Sequence, residues 1–312
     1  MEYIVLDLEW NQGKYAKELT FEIIEIGAVK LDEKRNVIDT FHRIIRPVVY
    51  PRLYEITKQL IELTEAELKQ GVSFQEAAED FLEWCGEDYK FCIWGSSDLV
   101  VLQQNLDYYY IGYTMDYPLF YYDVQQLFGI AQEDEQQTRN LEYAVRELKL
   151  PMDRPFHGAL HDAQYTAEVF GRINPKLVSK YPTLDTYHYP EPDEPAIMVQ
   201  YPDYRMTVSR CCDSRAEVKH DKQMVQLYCC VCGRKAKRIA PWFSGSSRSY
   251  YGLGQCKVHG YLKGRLVIKN PVPEDYFGIQ TIKLATEEEA EQIMERYKDR
   301  NKKKKKKITL EK

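Results

Sequence analysis

At the start of the chain the apolar positions fall in short runs rather than at helical spacing. Residues 3–8 form one such run, which ends in acids, and residues 23–31 and 37–45 form two more, joined through a polar turn at 32–36. Runs this short, β-rich and bounded by polar residues, predict three consecutive antiparallel strands. A proline-marked stretch at 46–54 leads into a mostly helical region whose clearest element opens at Ser73. Glu76 stands three residues on, the spacing of a capping box, and the helix should reach about Cys85. Residues 91–94 then read as a brief buried strand followed at once by a helix through Asn105, and residues 119–123 as another strand before a helix from Val124. Two further helices, 140–148 and 159–173, carry apolar residues three and four apart. Strand followed by helix, repeated after an antiparallel opening, predicts an α/β domain with a mixed sheet and flanking helices over residues 1–175.

The pattern then changes. Prolines at 175, 182, 190, 192, 195 and 202, with no periodicity between them, mark residues 176–204 as a linker or extended strap. Beyond it, residues 224–228 and 262–268 read as strands around a cysteine-rich centre, giving a small β-rich domain over 205–283. Thr286 with Glu289 caps a last helix to about residue 300, so that 284–312 is a C-terminal helix with a lysine-rich tail, and the tail is expected to be disordered. No run of about 18 apolar residues could span a bilayer. The N-terminal apolar stretch lacks a basic lead-in and carries acids, so it is expected to be a buried strand rather than a signal peptide, and the protein is expected in the cytoplasm.

Charge divides the chain in the same place. Residues 1–200 hold 18 Lys and Arg against 35 Asp and Glu, whereas residues 201–312 hold 25 against 13. Deleting the six lysines 302–307 still leaves the second part positive. An acidic module that gathers cations beside a basic one that attracts polyanions is the functional reading; a solvated surface inflated by the tail is the bland one.

The acids give the sharper signal. Asp7 and Glu9 lie two apart in a strand, so both project from one face. Adjacent carboxylates on a buried strand repel and lose hydration, a cost that a bound cation offsets, although an acidic pair at a strand end is more often a surface feature. Asp98 follows a strand and a Gly-Ser-Ser turn and should stand exposed at the start of a helix, where first-turn acids are common for capping reasons alone. His157 lies just before a helix and Asp162 in its first turns, a spacing that lets an imidazole and a carboxylate reach one point.

Taken in order, Asp7-Leu-Glu9, Trp94-Gly-Ser-Ser-Asp98-Leu and His157-x-x-x-x-Asp162-Ala resemble the three motifs of the DEDDh branch of the RNase T-like and DnaQ-like exonuclease superfamily, over residues 1 to about 175. The run from Phe21 to Leu31 and the segment from Leu63 to Phe74 are most similar to the small RNA-trimming exonucleases and the sporulation-inhibitor group. The resemblance implies a ribonuclease H-like fold and a 3′-to-5′ exonuclease acting on single-stranded RNA or DNA 3′ ends. It implies that Asp7, Glu9, Asp98 and Asp162 hold two Mg²⁺ or Mn²⁺ ions, with Asp7 bridging, and that His157 is the general base. Two such ions, about 4 Å apart, activate the attacking water and stabilise the leaving oxygen. His161 competes for the base role, but as the neighbour of Asp162 in a helix it points about 100° away. The first motif departs from many relatives at Trp10-Asn11, where those have a small residue and Thr, so the shape of the 3′-terminal pocket is not inherited from the resemblance. A DNA-directed proofreading or repair exonuclease and a non-catalytic nucleic-acid adaptor are the competing functions; the presence of all five expected residues argues against the second.

Cys229-Cys-Val-Cys232-Gly233 and Cys256-Lys-Val-His259-Gly260 are two hooks, each ending in glycine. Their spacing predicts a structural Cys₃His zinc site of Cys229, Cys232, Cys256 and His259, like a zinc ribbon, with four protein ligands and no open position. Cys230 could replace Cys229, and Cys211, Cys212 and His220 could form a second site, although they lack a second hook. Cations from Arg234 to Arg265 alternate with Trp242, Phe243, Tyr250, Tyr251 and Tyr261, which suits single-stranded nucleic acid as well as it suits an ordinary small core. A protein-interaction role for this module is the further alternative.

Overall fold

A computed structural model describes the chain apart from residues 14, 16, 17, 62, 114, 135, 136, 311 and 312; residues 301 and 303–310 are described by backbone alone. The chain divides into two compact units, Met1–Tyr187 and His188–Lys312.

The first unit opens with β1 (Glu2–Asn11), β2 (Glu22–Leu31) and β3 (Val37–Ile44), then helices α1 (Glu55–Leu60), α2 (Glu65–Gln70) and α3 (Phe74–Cys85). Next come β4 (Tyr89–Ile93), α4 (Ser97–Tyr108), β5 (Phe120–Asp123), α5 (Val124–Ala131), α6 (Leu141–Glu147), α7 (Ala159–Arg172), α8 (Pro175–Val178) and β6 (Thr183–Leu184). The sheet order is β3-β2-β1-β4-β5-β6. The β1, β2 and β3 pairings are antiparallel, whereas β4 joins β1 and β5 joins β4 in parallel. This is the expected mixed sheet.

Its centre, β1, is buried on both faces, which is why its sequence reads as a continuous apolar run. Ile4, Leu6 and Leu8 face a core built from α3 and α4, including Phe81, Leu99 and Leu102. Val5 faces the opposite core, with Phe128, Val145, Tyr165 and Phe170 from α5, α6 and α7. Along that second face the alternation reaches Asp7 and Glu9, so the apolar row ends in two acids at the carboxyl end of the central strand. Ser73 accepts the N–H of Glu76 at the start of α3. The reciprocal capping box lies instead at α2, between Thr64 and Glu67.

The segment expected to be a linker or extended strap makes regular contacts at its start. Thr183–Leu184 pairs with β5, and Tyr187 donates its hydroxyl to Asp107 of α4 at 2.6 Å. The first unit therefore runs past residue 175, with Pro182 placed just before an edge strand where its missing N–H costs no ladder bond.

The second unit holds β7 (Ile197–Gln200), β8 (Tyr204–Val208), α9 (Arg215–His220), α10 (Lys222–Val225), β9 (Lys237–Ser244), β10 (Ser249–Cys256), β11 (Gly260–Lys269), β12 (Phe277–Ala285) and α11 (Glu287–Leu310). Its sheet is antiparallel throughout in the order β7-β8-β12-β11-β10-β9. Residues 224–228 were expected as a strand, yet Met224 lies in α10, because Asp221 caps that turn at the N–H of Gln223 and Gln280 donates to the carbonyls of Met224 and Gln226. α11 starts at a true capping box, Thr286 with Glu289. It packs Ala290 and Ile293 on Ala240, Phe243 and Leu253. Its backbone stays helical through the lysine run that was expected to be disordered, since lysine sustains a helix once one is nucleated. The last two residues of that tail lie outside the described residues. No described helix is long and apolar enough to cross a membrane.

Candidate active site

The acids meet where the parallel strands end. Asp7, Glu9 and Asp162 each offer an oxygen, and these atoms lie within 4.8 Å of one another. Asp7 and Glu9 share the face of β1 that α7 covers, and α7 brings Asp162. The close approach depends on Gly27, which stands opposite Asp7 on β2. A Cβ there would lie 2.1 Å from the backbone of Ala159 and Leu160, so only glycine lets the first turn of α7 settle beside Asp7.

Asp98 was expected to be exposed and is buried, only 5% accessible. Pairing of β1 with β4 stops at Val5–Cys92, and beyond it the Asp98 carboxylate takes the place of a strand partner, accepting the N–H of Leu8 at 3.1 Å. It is thereby tied to the residue between Asp7 and Glu9, although it falls outside the three-residue group. Asp123, at the end of β5, accepts the N–H groups of Gly95 and Gln126, fixing the turn that delivers Asp98.

His157 is exposed and has a left-handed backbone, φ 67°, rare for a non-glycine residue and concentrated at functional sites. Its N–H donates to Asp162 Oδ2 at 3.1 Å, which locks the loop to the carboxylate. The other oxygen of Asp162, Oδ1, is buried without a hydrogen-bond partner. His161 is outside the carboxylate group.

Glu25, which motif spacing did not single out, stands opposite Glu9 on the neighbouring strand. It accepts the N–H of Ala159 at 3.2 Å and meets His42 Nε2 at 2.7 Å. α7 has no side-chain cap of its own at Gly158, so a strand carboxylate caps the helix that carries Asp162. Asn11 is fully buried and binds the carbonyls of Tyr50 and Arg52 and the N–H of Tyr54. Its place in the motif is thus architectural.

Burial, reinforced by the neighbouring carboxylates, drives the Asp7 carboxyl well above the usual range. Burial, then Glu25 and Asp162, push Glu9 up to about 8. Burial lifts Asp98 to about 7 against the opposing N–H of Leu8. Asp162 is raised as well, by burial first. Such a site holds negative charge at a cost and favours whatever neutralises it, protons or cations. The residues fit a hard divalent cation: oxygen donors alone, converging, one of them buried and unpartnered.

In the second unit Cys229, Cys232, Cys256 and His259 also converge. Cys229 Sγ lies 3.5 Å from His259 Nδ1, Cys232 Sγ 3.7 Å from Cys256 Sγ, and Cys256 Sγ 3.7 Å from His259 Nδ1. Zinc–sulfur bonds in a tetrahedron set ligand separations of about 3.8 Å. The N–H groups of Val258 and His259 point at Cys256 and lower its thiol to about 6, so it is poised as a thiolate. The second hook is the β10–β11 turn, and Gly233 and Gly260 adopt φ of 67° and 81°. Cys230 is outside the group; so are Cys211, Cys212 and His220, with Cys212 packed on Val218 and Met224 and His220 bonded to the Ala216 carbonyl. Phe243 is buried in the core under α11, and Trp242 is half-buried against two core clusters and donates to the Val225 carbonyl.

Residues 4–170 match the family described as Exonuclease (RNase T). The chain belongs to that exonuclease family. KapD of Bacillus subtilis (strain 168), named a probable 3′-5′ exonuclease, is 31% identical over 115 residues, 35% of this chain and 55% of that protein. ERI1 exoribonuclease 2 of Homo sapiens is 33% identical over 85 residues, 26% of this chain and 12% of its own length. The chain thus spans about half the length of the first relative and a small part of the second. The nuclease domain of 3′hExo, described as a DEDDh family member bound to rAMP, superposes with a TM-score of 0.51 at 18% identity, covering 58% of this chain and 96% of that one. The exonuclease fold therefore accounts for the first unit.

Proposed function

We propose that the protein is a metal-dependent 3′-to-5′ exonuclease that hydrolyses single-stranded nucleic acid, RNA in preference to DNA, with two Mg²⁺ or Mn²⁺ ions. The observation that carries this reading is the meeting of Asp7, Glu9 and Asp162 oxygens within 4.8 Å, beside an Asp98 bonded to the strand between the first two. These four acids would hold the ions. Bound there, the ions supply a lowered pKa for the attacking water and charge neutralisation at the leaving 3′ oxygen.

The chain's own residues do the rest. His157 takes the water proton on a ring nitrogen, from a loop whose N–H is bonded to Asp162, so base and ligand keep a fixed relation. Asp98 holds the β1 edge in place, and Asp123 holds the turn behind Asp98. The preference for RNA is supported by the exoribonuclease name of the human relative and the adenosine monophosphate bound to 3′hExo. In the second unit Cys229, Cys232, Cys256 and His259 would hold one structural zinc, supported by their tetrahedral spacing.

The test uses 5′-labelled RNA and DNA strands of one sequence with Mg²⁺ or Mn²⁺. Products should shorten from the 3′ end, faster for RNA. Asp7→Asn and Asp162→Asn should abolish turnover with circular dichroism unchanged, and His157→Ala should slow it by about 10²-fold or more. Full Mn²⁺-dependent turnover by Asp7→Asn refutes the metal assignment, and faster DNA turnover transfers the enzyme to a DNA-directed role.

A further inference from the structure

The second unit carries a cationic cavity away from its cysteine cluster. Side chains alternate across a strand, and on β11 the even-numbered residues Leu262 and Leu266 are buried in the clusters that hold the cysteines, α9 and α10. The odd-numbered residues point to the other face. There Lys263 stands opposite Lys283 of β12, and Arg265 stands between Thr281 of β12 and Tyr251 of β10. α11 covers part of this face through Ala290 and Ile293. At its margin remains a cavity of about 400 Å³, lined by Tyr251, Lys263, Arg265, Thr281, Lys283 and Arg296, among others.

The charge there is unbalanced. Four cations line the space against one carboxylate, Glu289, which is bonded to Lys263. Asp203 lies 3.5 Å from Lys283 and leaves the excess positive. Lys263 and Lys283 face each other across the two strands, each with a carboxylate partner, so the excess charge lies with Arg265 and Arg296. Arg296 stacks on Tyr251 at 4.5 Å, presenting a planar guanidinium backed by an aromatic ring. Guanidinium planes and aromatic faces bind bases, and ammonium groups bind phosphates. The volume is that of a small-ligand site, at the lower end of the usual range of roughly 300 to 1,000 Å³. The same helix continues into the lysines at 302–307.

We propose that this cavity is a binding site for single-stranded nucleic acid, seating one nucleotide with its phosphate between Arg265 and Lys283 and its base against the Arg296–Tyr251 stack. It rests on the exonuclease reading for the identity of the polymer, and it assigns the grip on that polymer to the α11 margin of the sheet rather than to the cysteine hooks. A covalently linked anchoring site raises the effective concentration of a substrate's 3′ end for the first unit.

Binding of a fluorescein-labelled 12-nucleotide single strand to the full chain is measured without added divalent ions, from low to moderate salt. The double variant Arg265→Ala/Lys283→Ala should lose about tenfold in affinity, and the slope of log K against log salt should flatten by about 1.4, the release expected for two single-strand phosphate contacts. Arg265→Lys/Lys283→Arg, which keeps the charge, should retain most of the salt slope. Mn²⁺-dependent turnover of a dinucleotide should be unchanged in both. Unchanged affinity and slope in the alanine variant overturn the proposal. So does tighter binding of a polyglutamate peptide than of the oligonucleotide, which would give the cavity to an acidic protein. An inactive chain that still binds through these residues sinks the nuclease reading and leaves the site standing.

Discussion

Glu25 joins two parts of the site that no linear motif connects. Its carboxylate caps the first N–H of α7 while its strand register sets it opposite Glu9, so it orients Asp162 and raises the Glu9 carboxyl at once. It is a positioning residue. Glu25→Ala should lower kcat roughly tenfold or more and weaken Mn²⁺ affinity with little change in KM, as loss of an outer support to metal ligands does. Glu25→Gln, which keeps an acceptor for Ala159, should recover much of that loss; equal damage from both would show that the charge rather than the cap matters. The raised carboxyls give a pH prediction. Glu9 at about 8 and Asp98 at about 7, both lifted first by burial, keep protons in the folded metal-free protein that the unfolded chain sheds at ordinary carboxylate pH. The folded state then binds more protons than the unfolded one, so stability falls as pH rises from about 4.5 to 8. Cations replace those protons, and Mn²⁺ should therefore raise the melting temperature more at pH 8 than at pH 6. Thermal scans in which metal-free stability climbs across that interval would contradict the site's electrostatics. The convergence of Asp7, Glu9 and Asp162 was legible because the spacing within β1 and at the start of α7 is local. Glu25 and Asp123 were not, since their roles arise only when β2 pairs with β1 and β5 with β4.

At the level of elements, strands buried on both faces announced themselves: β1 and β2 are apolar runs whatever surrounds them. β9 and β10 did not, because Pro241 and charged residues thin the alternation of one and Gly252 and Gly254 read as breaks in the other. In the sheet those glycines lie under Trp242 and Leu227, where side chains of their own would collide. Residues 224–228 misled in the opposite direction, since apolar alternation there was overridden by the Asp221 cap. On the proposed function, the contact between α7 and β2 is the element-level feature on which activity would depend. Gly27→Ala should push the first turn of α7 off the sheet, costing about 1–3 kcal/mol by overpacking, and should cut turnover far more than a comparable loss of stability elsewhere, because Asp162 and His157 move with that turn. Urea denaturation read beside kcat decides this: a destabilised variant with wild-type kcat at saturating metal and substrate would mean the site tolerates the shift.

For the molecule as a whole, each unit has its own core and its own candidate metal chemistry, oxygen donors in the acidic first and sulfur donors in the basic second. Separate cores predict separate responses to damage. The cysteine cluster pins the 229–233 loop to the β10–β11 turn, whereas Ala240, Leu253, Ile293 and their neighbours form a different cluster under α11. Loss of one of the four clustered Cys and His side chains should therefore weaken the second unit without dissolving its sheet at once, and should leave the first unit's clusters around Ile4 and Val5 untouched. Calorimetry of Cys232→Ser should show one of two thermal transitions moved to lower temperature and the other in place, with dinucleotide turnover in Mn²⁺ preserved. A thiol-directed chelator applied to the wild-type chain should reproduce that pattern and release zinc in stoichiometric amount. If both transitions moved together, the two units would share one cooperative fold, and if no zinc were released, the four convergent ligands would have to be explained by thiol chemistry instead.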